Sequence, residues 1–212
     1  SDQSLHVAYA GQKLASRQRV YWNVMVWDED DQMSRGETAW FEMGLLKRRD
    51  WKAKWIGAEL VGGPRSTIPA PYARKSFVLP GAVQSAHLYI TALGVYDCSI
   101  NGQAFSADVF APGWTDYKKR IYYNTYDVTP LLRQGENAIG SIIGDGWYAG
   151  HVGWDGDRDH YGKNTRLLAQ LEIEYANGSR EVIATDPTRP VSRAGPIREA
   201  DVIMGESCDA RR

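Results

Sequence analysis

The stretch that decides the fold is LLAQLEIEYANGSREVIAT, which runs from Leu167 to Thr185. From Leu167 to Tyr175, apolar residues stand at every second position with mostly polar residues between them, as in a strand that buries one face. Asn177-Gly178 follows, and a second β-rich segment begins at Arg180. Because Asn-Gly tolerates positive φ at both positions, the sequence predicts a hairpin with a type I′ turn.

Short strands separated by turns continue through most of the chain. Asn101-Gly102 lies between two strand-like segments and predicts a second type I′ hairpin. Residues 129–133 indicate a helical turn, with Thr129 as N-cap and Pro130 in the first position, and Asp50 is a candidate cap for another short turn before Trp51. The other predicted strands are Tyr72–Leu79, Ala86–Ala92, Tyr96–Ile100, Ala104–Phe110, Ile121–Val128, Ala138–Ile143 and Arg180–Thr185. Strands at this spacing predict an all-β sandwich or barrel.

The first 46 residues show a different strand pattern from the rest of the chain. Alternation from Val20 to Val26 predicts one half-buried strand, and residues 38–43 predict the strand that returns beside it. Two strands cannot bury both faces of a sheet. Residues 1–46 are therefore expected to form part of a β domain, or an appendage of the second domain, residues 47–212.

Composition excludes some classes of partner. The chain has 25 Lys and Arg against 26 Asp and Glu, with no basic run, so neither nucleic acid nor an anionic membrane is an expected partner. No apolar stretch approaches the length of a membrane-spanning helix. Cys98 and Cys208 are expected to be free thiols, since a disulfide framework needs more cysteines in a smaller fold. The 8 Trp and 12 Tyr indicate either a filled sandwich core or a sugar-binding face.

Two segments concentrate aromatic and carboxylate side chains. They are FAPGWTDY at residues 110–117 and GDGWYAGHVGWDGDRDHYG at residues 144–162, a long loop with no predicted structure of its own. Aromatic rings can stack on the apolar C–H faces of sugars while polar groups bind the hydroxyls. An alternative for the first segment is that its Trp plugs the end of the sandwich. The candidate sugar-binding residues are Trp114, Asp116, Asp145, Trp147, Tyr148, His151 and Trp154.

Asp155, Asp157 and Asp159 are spaced as at the start of a calcium-binding loop. An EF-hand is excluded because His160 stands where the loop needs Gly and Arg166 where it needs a bidentate Glu. A looser calcium site with oxygen ligands is one interpretation, and a solvated acidic loop is the other. The sequence has no nucleophile-elbow, zinc-protease, phosphate-loop or dinucleotide motif, so no catalytic residue is predicted.

Together, these motifs resemble the N-terminal region of bacterial α-L-rhamnosidases of glycoside hydrolase family 78. The matching text is APGWTDY (111–117), YNTYDVT (123–129), GENA (135–138), GDGWYAG (144–150), GPIR (195–198) and GESCDAR (205–211), with VWDE (26–29), FEMGL (41–45) and WKAKWIG (51–57) upstream. The resemblance implies a partial fibronectin- or immunoglobulin-like segment (1–46) followed by a galactose-binding-like jelly-roll β-sandwich (47–212).

The same resemblance implies that the hydrolytic residues lie in a separate (α/α)6 barrel further along the parent enzyme. In some relatives the jelly roll is similar to a module that holds terminal L-rhamnose with calcium. We therefore expect a non-catalytic part of an α-L-rhamnosidase that assists rhamnoside recognition and contacts the other domains of the parent. The alternative is a purely structural scaffold that binds no sugar.

Overall fold

The computed structural model of the chain describes residues 5–6, 8–59, 68–154, 157–188 and 191–212. The chain divides into two compact units, residues 1–51 and 52–212. The domain boundary after residue 46 stays a prediction. In the described residues the strands are β1 (Arg19–Trp22), β2 (Met25–Trp27), β3 (Met33–Arg35), β4 (Ala39–Glu42), β5 (Tyr72–Leu79), β6 (Val83–Leu93), β7 (Val95–Ile100), β8 (Gln103–Ala104), β9 (Asn124–Asp127), β10 (Gly135–Gly144), β11 (Arg166–Tyr175), β12 (Arg180–Ala184), β13 (Ile197–Asp201) and β14 (Gly205–Cys208).

The first unit consists of two antiparallel strand pairs. β1 pairs with β4, which confirms the predicted returning strand, whereas β2 pairs with β3. The prediction of one half-buried strand from Val20 to Val26 is therefore wrong, because the chain changes partner between Trp22 and Met25 and most of the segment is exposed. Alternation indicates which face a residue takes, but it does not reveal a change of partner.

The second unit is a sandwich of two antiparallel four-stranded sheets. One has the strand order β5-β10-β7-β8 and the other β12-β11-β6-β9. The hairpin β13–β14 is added beside β10, where the amide of Asp145 donates to the carbonyl of Ala200. The predicted all-β class, a jelly-roll β-sandwich preceded by an immunoglobulin-like β segment, is confirmed.

The core lies between the two sheets and follows the alternation read from the sequence. On β11, Leu171 and Ile173 are at most 2% exposed, and Ile100 and Ile143 of the opposite sheet are fully buried. Burying an aliphatic side chain of this size stabilises the fold by about 1.5–3 kcal/mol. The hydrophobic effect therefore fixes the register of the central strands.

One side of the sandwich is bridged by a charged side chain. β5 and β12 are edge strands of opposite sheets. Lys75 on β5 directs its Nζ towards β12 and donates to the carbonyl oxygen of Ala184 at 2.9 Å.

The two Asn-Gly turns differ. Asn101 (φ 53°) and Gly102 (φ 78°) form the predicted type I′ turn between β7 and β8. In the turn between β11 and β12 only Gly178 has positive φ (79°), so the type I′ prediction is wrong there. The Asn177 carboxamide oxygen instead accepts hydrogen bonds from the Ser179 amide and hydroxyl, which gives a longer connection.

Several other elements differ from those predicted. The strand predicted for residues 104–110 is only β8, and β13 and β14 were not predicted. The predicted helical turn is a 3-10 turn with Val128 preceding it, because the Thr129 hydroxyl oxygen accepts from the Ala86 amide rather than capping the turn. Residues 144–162 contain a one-turn helix, α1 (Gly146–Ala149), so this loop has some structure of its own.

Cys98 and Cys208 are both free thiols, as predicted. Within the described ranges, no helix is long and apolar enough to cross a membrane.

Candidate carbohydrate-binding site

A tight turn directs Trp114 away from the sandwich. Phe110 (φ 57°) and Gly113 (φ 94°) both have left-handed backbone conformations, and the Gly113 amide donates to the Phe110 carbonyl at 2.9 Å. The turn is attached to β7 through the Tyr96 amide, which donates to the Ala111 carbonyl at 2.9 Å. A non-glycine residue in the left-handed region costs about 1–2 kcal/mol, so surrounding contacts must hold this turn in place.

Three aromatic rings from two distant segments meet at this end of the sandwich. The Trp114 and Trp147 rings are parallel to within 2°, with centroids 5.8 Å apart, and Phe110 lies edge-on to Trp147 at 5.9 Å. Phe110 and Trp114 are each 52% exposed, so Trp114 does not plug the core. We call Phe110, Trp114 and Trp147 the aromatic platform.

Close backbone contacts fix the start of the loop that carries Trp147. Gly94 has φ of 129°, and a Cβ there would collide with the carbonyl oxygen of Gly144. Gly146 has φ of 55°, and its Cβ would lie 2.8 Å from Val95 Cγ1. Only glycine allows the turn between β6 and β7 to approach the end of β10 this closely, and α1 begins from this contact.

Asp145 faces inward and pairs with a buried arginine. Arg158 is 6% exposed, and its Nη2 donates to Asp145 Oδ2 at 2.7 Å while its Nε donates to the Ala149 carbonyl at 3.2 Å. Burial raises the pKa of Asp145 to about 6, although the positive charge of Arg158 acts in the opposite direction. This pair joins the two ends of the loop, so the structure places Asp145 as a support rather than on the open surface.

His151 is likewise buried against a carboxylate. Its backbone amide and its Nδ1 lie 2.8 Å and 2.9 Å from Asp201 Oδ2. The other carboxylate oxygen of Asp201 accepts hydrogen bonds from the amides of Ile203 and Met204. Burial acts to raise the pKa of Asp201, but hydrogen bonds from the Met204 and His151 amides outweigh it and lower the pKa. This pair attaches the loop to β13.

Tyr148 belongs to a cluster of rings beside the platform. Its ring meets Tyr117 edge-on at 5.3 Å, and Tyr117 also contacts Tyr161 at 5.0 Å. Burial raises the pKa of Tyr117 to about 12. The cluster packs the segment that follows Trp114 against the long loop.

Trp154 and Asp116 reach solvent. Trp154 is fully exposed. Asp116 accepts a salt bridge from Lys119 Nζ at 3.2 Å, and this hydrogen bond with Lys119 lowers the pKa of Asp116. Asp116 therefore offers a carboxylate two residues after Trp114.

The three aspartates predicted as calcium ligands do not share one environment. Asp155 lies outside the described residues. Asp157 is exposed, while Asp159 Oδ1 accepts from Arg158 Nε at 3.3 Å. In the part of the chain that the structure describes, no three His, Cys, Asp or Glu residues form a group that could hold a metal ion. Calcium binding by these aspartates stays a prediction.

Comparison with protein-family models matches residues 81–212 to the α-L-rhamnosidase N-terminal domain. The chain belongs to this family. Residues 1–47 match a second model, the Rha78A-like N-terminal immunoglobulin domain.

Known α-L-rhamnosidases extend well beyond the matched region. The enzyme of Formosa agariphila is 43% identical over 99% of this chain and 23% of its own length. The crystal structure of the Aspergillus terreus enzyme superposes with a TM-score of 0.89 at 38% identity, over 100% of this chain and 25% of that chain. The Streptomyces avermitilis enzyme, solved in complex with L-rhamnose, gives a TM-score of 0.84 at 26% identity, over 100% of this chain and 36% of that chain. The chain spans about a quarter of the length of the curated relatives it matches.

Sequence reasoning missed three residues of the site in this rhamnosidase N-terminal domain. Phe110 was assigned to a strand, and Arg158 and Asp201 were not selected. Arg158 carried a weak signal, since it is the one cation inside the acidic segment 155–159. Asp201 carried no local signal, because its partner His151 lies fifty residues earlier.

Proposed function

We propose that this chain is a non-catalytic module of an α-L-rhamnosidase that assists recognition of terminal α-L-rhamnosides at the aromatic platform. The observation that carries the proposal is the parallel pair of the exposed Trp114 and the half-buried Trp147 at one end of the sandwich. The S. avermitilis relative in complex with L-rhamnose supports the choice of sugar.

The chemistry of the platform suits a deoxysugar. Rhamnose presents apolar C–H faces and a methyl group, both of which can lie against the exposed surfaces of the indole rings. Asp116, two residues after Trp114, and its partner Lys119 offer an acceptor and a donor for sugar hydroxyls. Trp154 is available as an additional stacking ring.

Two buried polar pairs give the platform its rigidity. Asp145–Arg158 and His151–Asp201 hold the long loop on both sides of Ala149, so Trp147 is positioned before a ligand arrives. A preformed surface avoids the cost of ordering side chains on binding. Asp145, His151 and Tyr148 accordingly act as positioning residues in this proposal.

The platform itself is not assigned a hydrolytic step. Glycoside hydrolysis uses two carboxyl groups about 5–10 Å apart that flank the scissile bond. Asp145 is turned inward towards Arg158, and Asp116 is paired with Lys119. We assign bond cleavage to other parts of the parent enzyme.

The test is a titration of the 212-residue chain with L-rhamnose, followed by tryptophan fluorescence. We expect a saturable change in the wild type and its loss in Trp147→Ala, with an unchanged melting temperature. Trp27→Ala is the control, because it removes an exposed Trp of the first unit, outside the aromatic platform. A repeat with calcium and with a chelator tests Asp155, Asp157 and Asp159. Unchanged rhamnose affinity in Trp147→Ala would contradict the proposal.

A second candidate function is an interdomain scaffold. Val109, Phe110, Tyr122 and Trp154 are exposed in addition to Trp114, and an apolar surface of this kind is typical of protein contacts. Absence of any response to L-rhamnose, in a chain that is folded by circular dichroism, would favour this function.

A further inference from the structure

A groove crosses the outer face of the sheet β5-β10-β7-β8. Arg74, Gly140 and Ser99 stand side by side in register across three strands. Gly140 and Ala138 provide a floor with almost no side chain. The floor is therefore low enough for a flat ligand to approach the backbone.

Two cavities make up the groove and meet at Arg74, Ser99 and Gly140. One, of about 320 Å³, is bounded by Tyr72, Asp97 and Ile142. The other, of about 680 Å³, is bounded by residues 101–103 and 130–133. None of the platform residues lines either cavity. The groove is thus separate from the site of the proposed function.

The polar groups of the groove are available to a ligand. Among the described residues, Arg74 makes no ion pair or side-chain hydrogen bond, and the same holds for the Asp97 carboxylate and the Ser99 hydroxyl. Arg133 also lines the groove, and its Nε donates to the Glu136 carbonyl at 3.1 Å. An unpaired guanidinium in a concave site is the group that best recognises a carboxylate, because it can donate two parallel hydrogen bonds.

We propose that this groove binds an acidic oligosaccharide, with a uronate carboxylate paired to Arg74. Asp97 and Ser99 then contact sugar hydroxyls as acceptor and donor. The two cavities together extend across three strands, which gives room for an extended chain of sugar rings. The module would thereby hold a charged glycan at a place distinct from the aromatic platform.

The experiment is a calorimetric titration of the 212-residue chain with an oligogalacturonate. Two probes serve as ligand controls: the methyl-esterified oligomer, which lacks the charge, and poly-L-glutamate, which carries carboxylates without sugar rings. We expect only the free oligogalacturonate to bind. Equal binding of either control would overturn the proposal, and equal binding of poly-L-glutamate would indicate a protein partner instead.

Variants then locate the site. Arg74→Ala is expected to weaken oligogalacturonate binding about tenfold or more, the effect of losing a charged hydrogen bond. Arg180→Ala is the matched control, since Arg180 lies on β12 of the other sheet and pairs with Glu174. Trp147→Ala should retain uronate binding even if it loses rhamnose, so failure here is distinguishable from failure of the proposed function. No binding by the wild type, or unchanged affinity in Arg74→Ala, would refute the assignment.

Discussion

Replacing Arg158 by leucine tests whether the buried pair with Asp145 holds the loop of the aromatic platform. Leucine fills much of the same space without a charge. It leaves Asp145 buried, with its cation removed, and it also deletes the hydrogen bond to the Ala149 carbonyl. We therefore expect a loss of stability that depends on pH.

The direction of this pH dependence follows from the pKa of Asp145. Burial raises this pKa to about 6 from 3.8, so the folded state binds the proton more tightly than the unfolded state. Stability from this group is highest at low pH and falls as the pH rises through that interval, by about 3 kcal/mol at 1.36 kcal/mol per pH unit. Removing Arg158 removes an attraction that lowers the pKa, so in the variant the fall continues to higher pH.

The loss of stability in Arg158→Leu is expected to be larger near pH 8 than near pH 5. Near pH 8, breaking a buried pair costs about 3–5 kcal/mol, because one charge is left without its partner. Near pH 5, the carboxyl takes up a proton and the cost shrinks to about 1–2 kcal/mol, the value of the lost hydrogen bond. In the double variant with Asp145→Asn, the part of the pH dependence that comes from Asp145 should disappear. Near pH 8 the double variant should be more stable than Arg158→Leu alone.

Urea unfolding at both pH values supplies the free energies. Arg180→Leu is the control, since Arg180 makes a similar ion pair with Glu174 but is largely exposed. It should change the free energy of unfolding by less than about 1 kcal/mol. The reasoning would be refuted if the two variants lost equal stability, or if Arg158→Leu were more damaging near pH 5 than near pH 8.

Two further outcomes are expected. A thiol reagent should label only Cys208 in the folded chain, because Cys98 is buried and its burial raises its pKa to about 12; labelling of both thiols without denaturant would contradict this. Gly94→Ala should cost about 2–5 kcal/mol, since it combines positive φ with a collision with a carbonyl, whereas Gly102→Ala, with positive φ in open space, should cost about 1–2 kcal/mol. Thermal unfolding compares the two glycine variants, and equal losses would count against the close contact.

Local sequence signals predicted most strands of the sandwich, one turn and the pairing of neighbouring strands in hairpins, but not the pairings between strands distant in sequence. β5 and β11 agree with the predicted segments to within a residue, because their alternation is determined by burial against the core. The contacts of the site join residues far apart in sequence. Trp114 meets Trp147 because two loops leave the same end of the sandwich, and no spacing rule predicts that.

The burial of polar side chains at the site has no local signal in the sequence. Asp145 and His151 were chosen as polar groups for a ligand, yet the structure buries both against Arg158 and Asp201. A sequence does not indicate whether a carboxylate faces solvent or a cation when the cation lies in another turn of the loop. By contrast, Trp114 and Trp154 are exposed enough to remain candidates.

The bridge from Lys75 to the Ala184 carbonyl has a consequence for handling the protein. An unprotected edge strand of a β-sandwich can pair with a strand from a second molecule and so start aggregation. The inward-directed ammonium group of Lys75 lies at edge strand β5, and burying it under an added strand would cost free energy. A Lys75→Val preparation should therefore be more prone to precipitate on concentration than the parent chain, even where its melting temperature is unchanged.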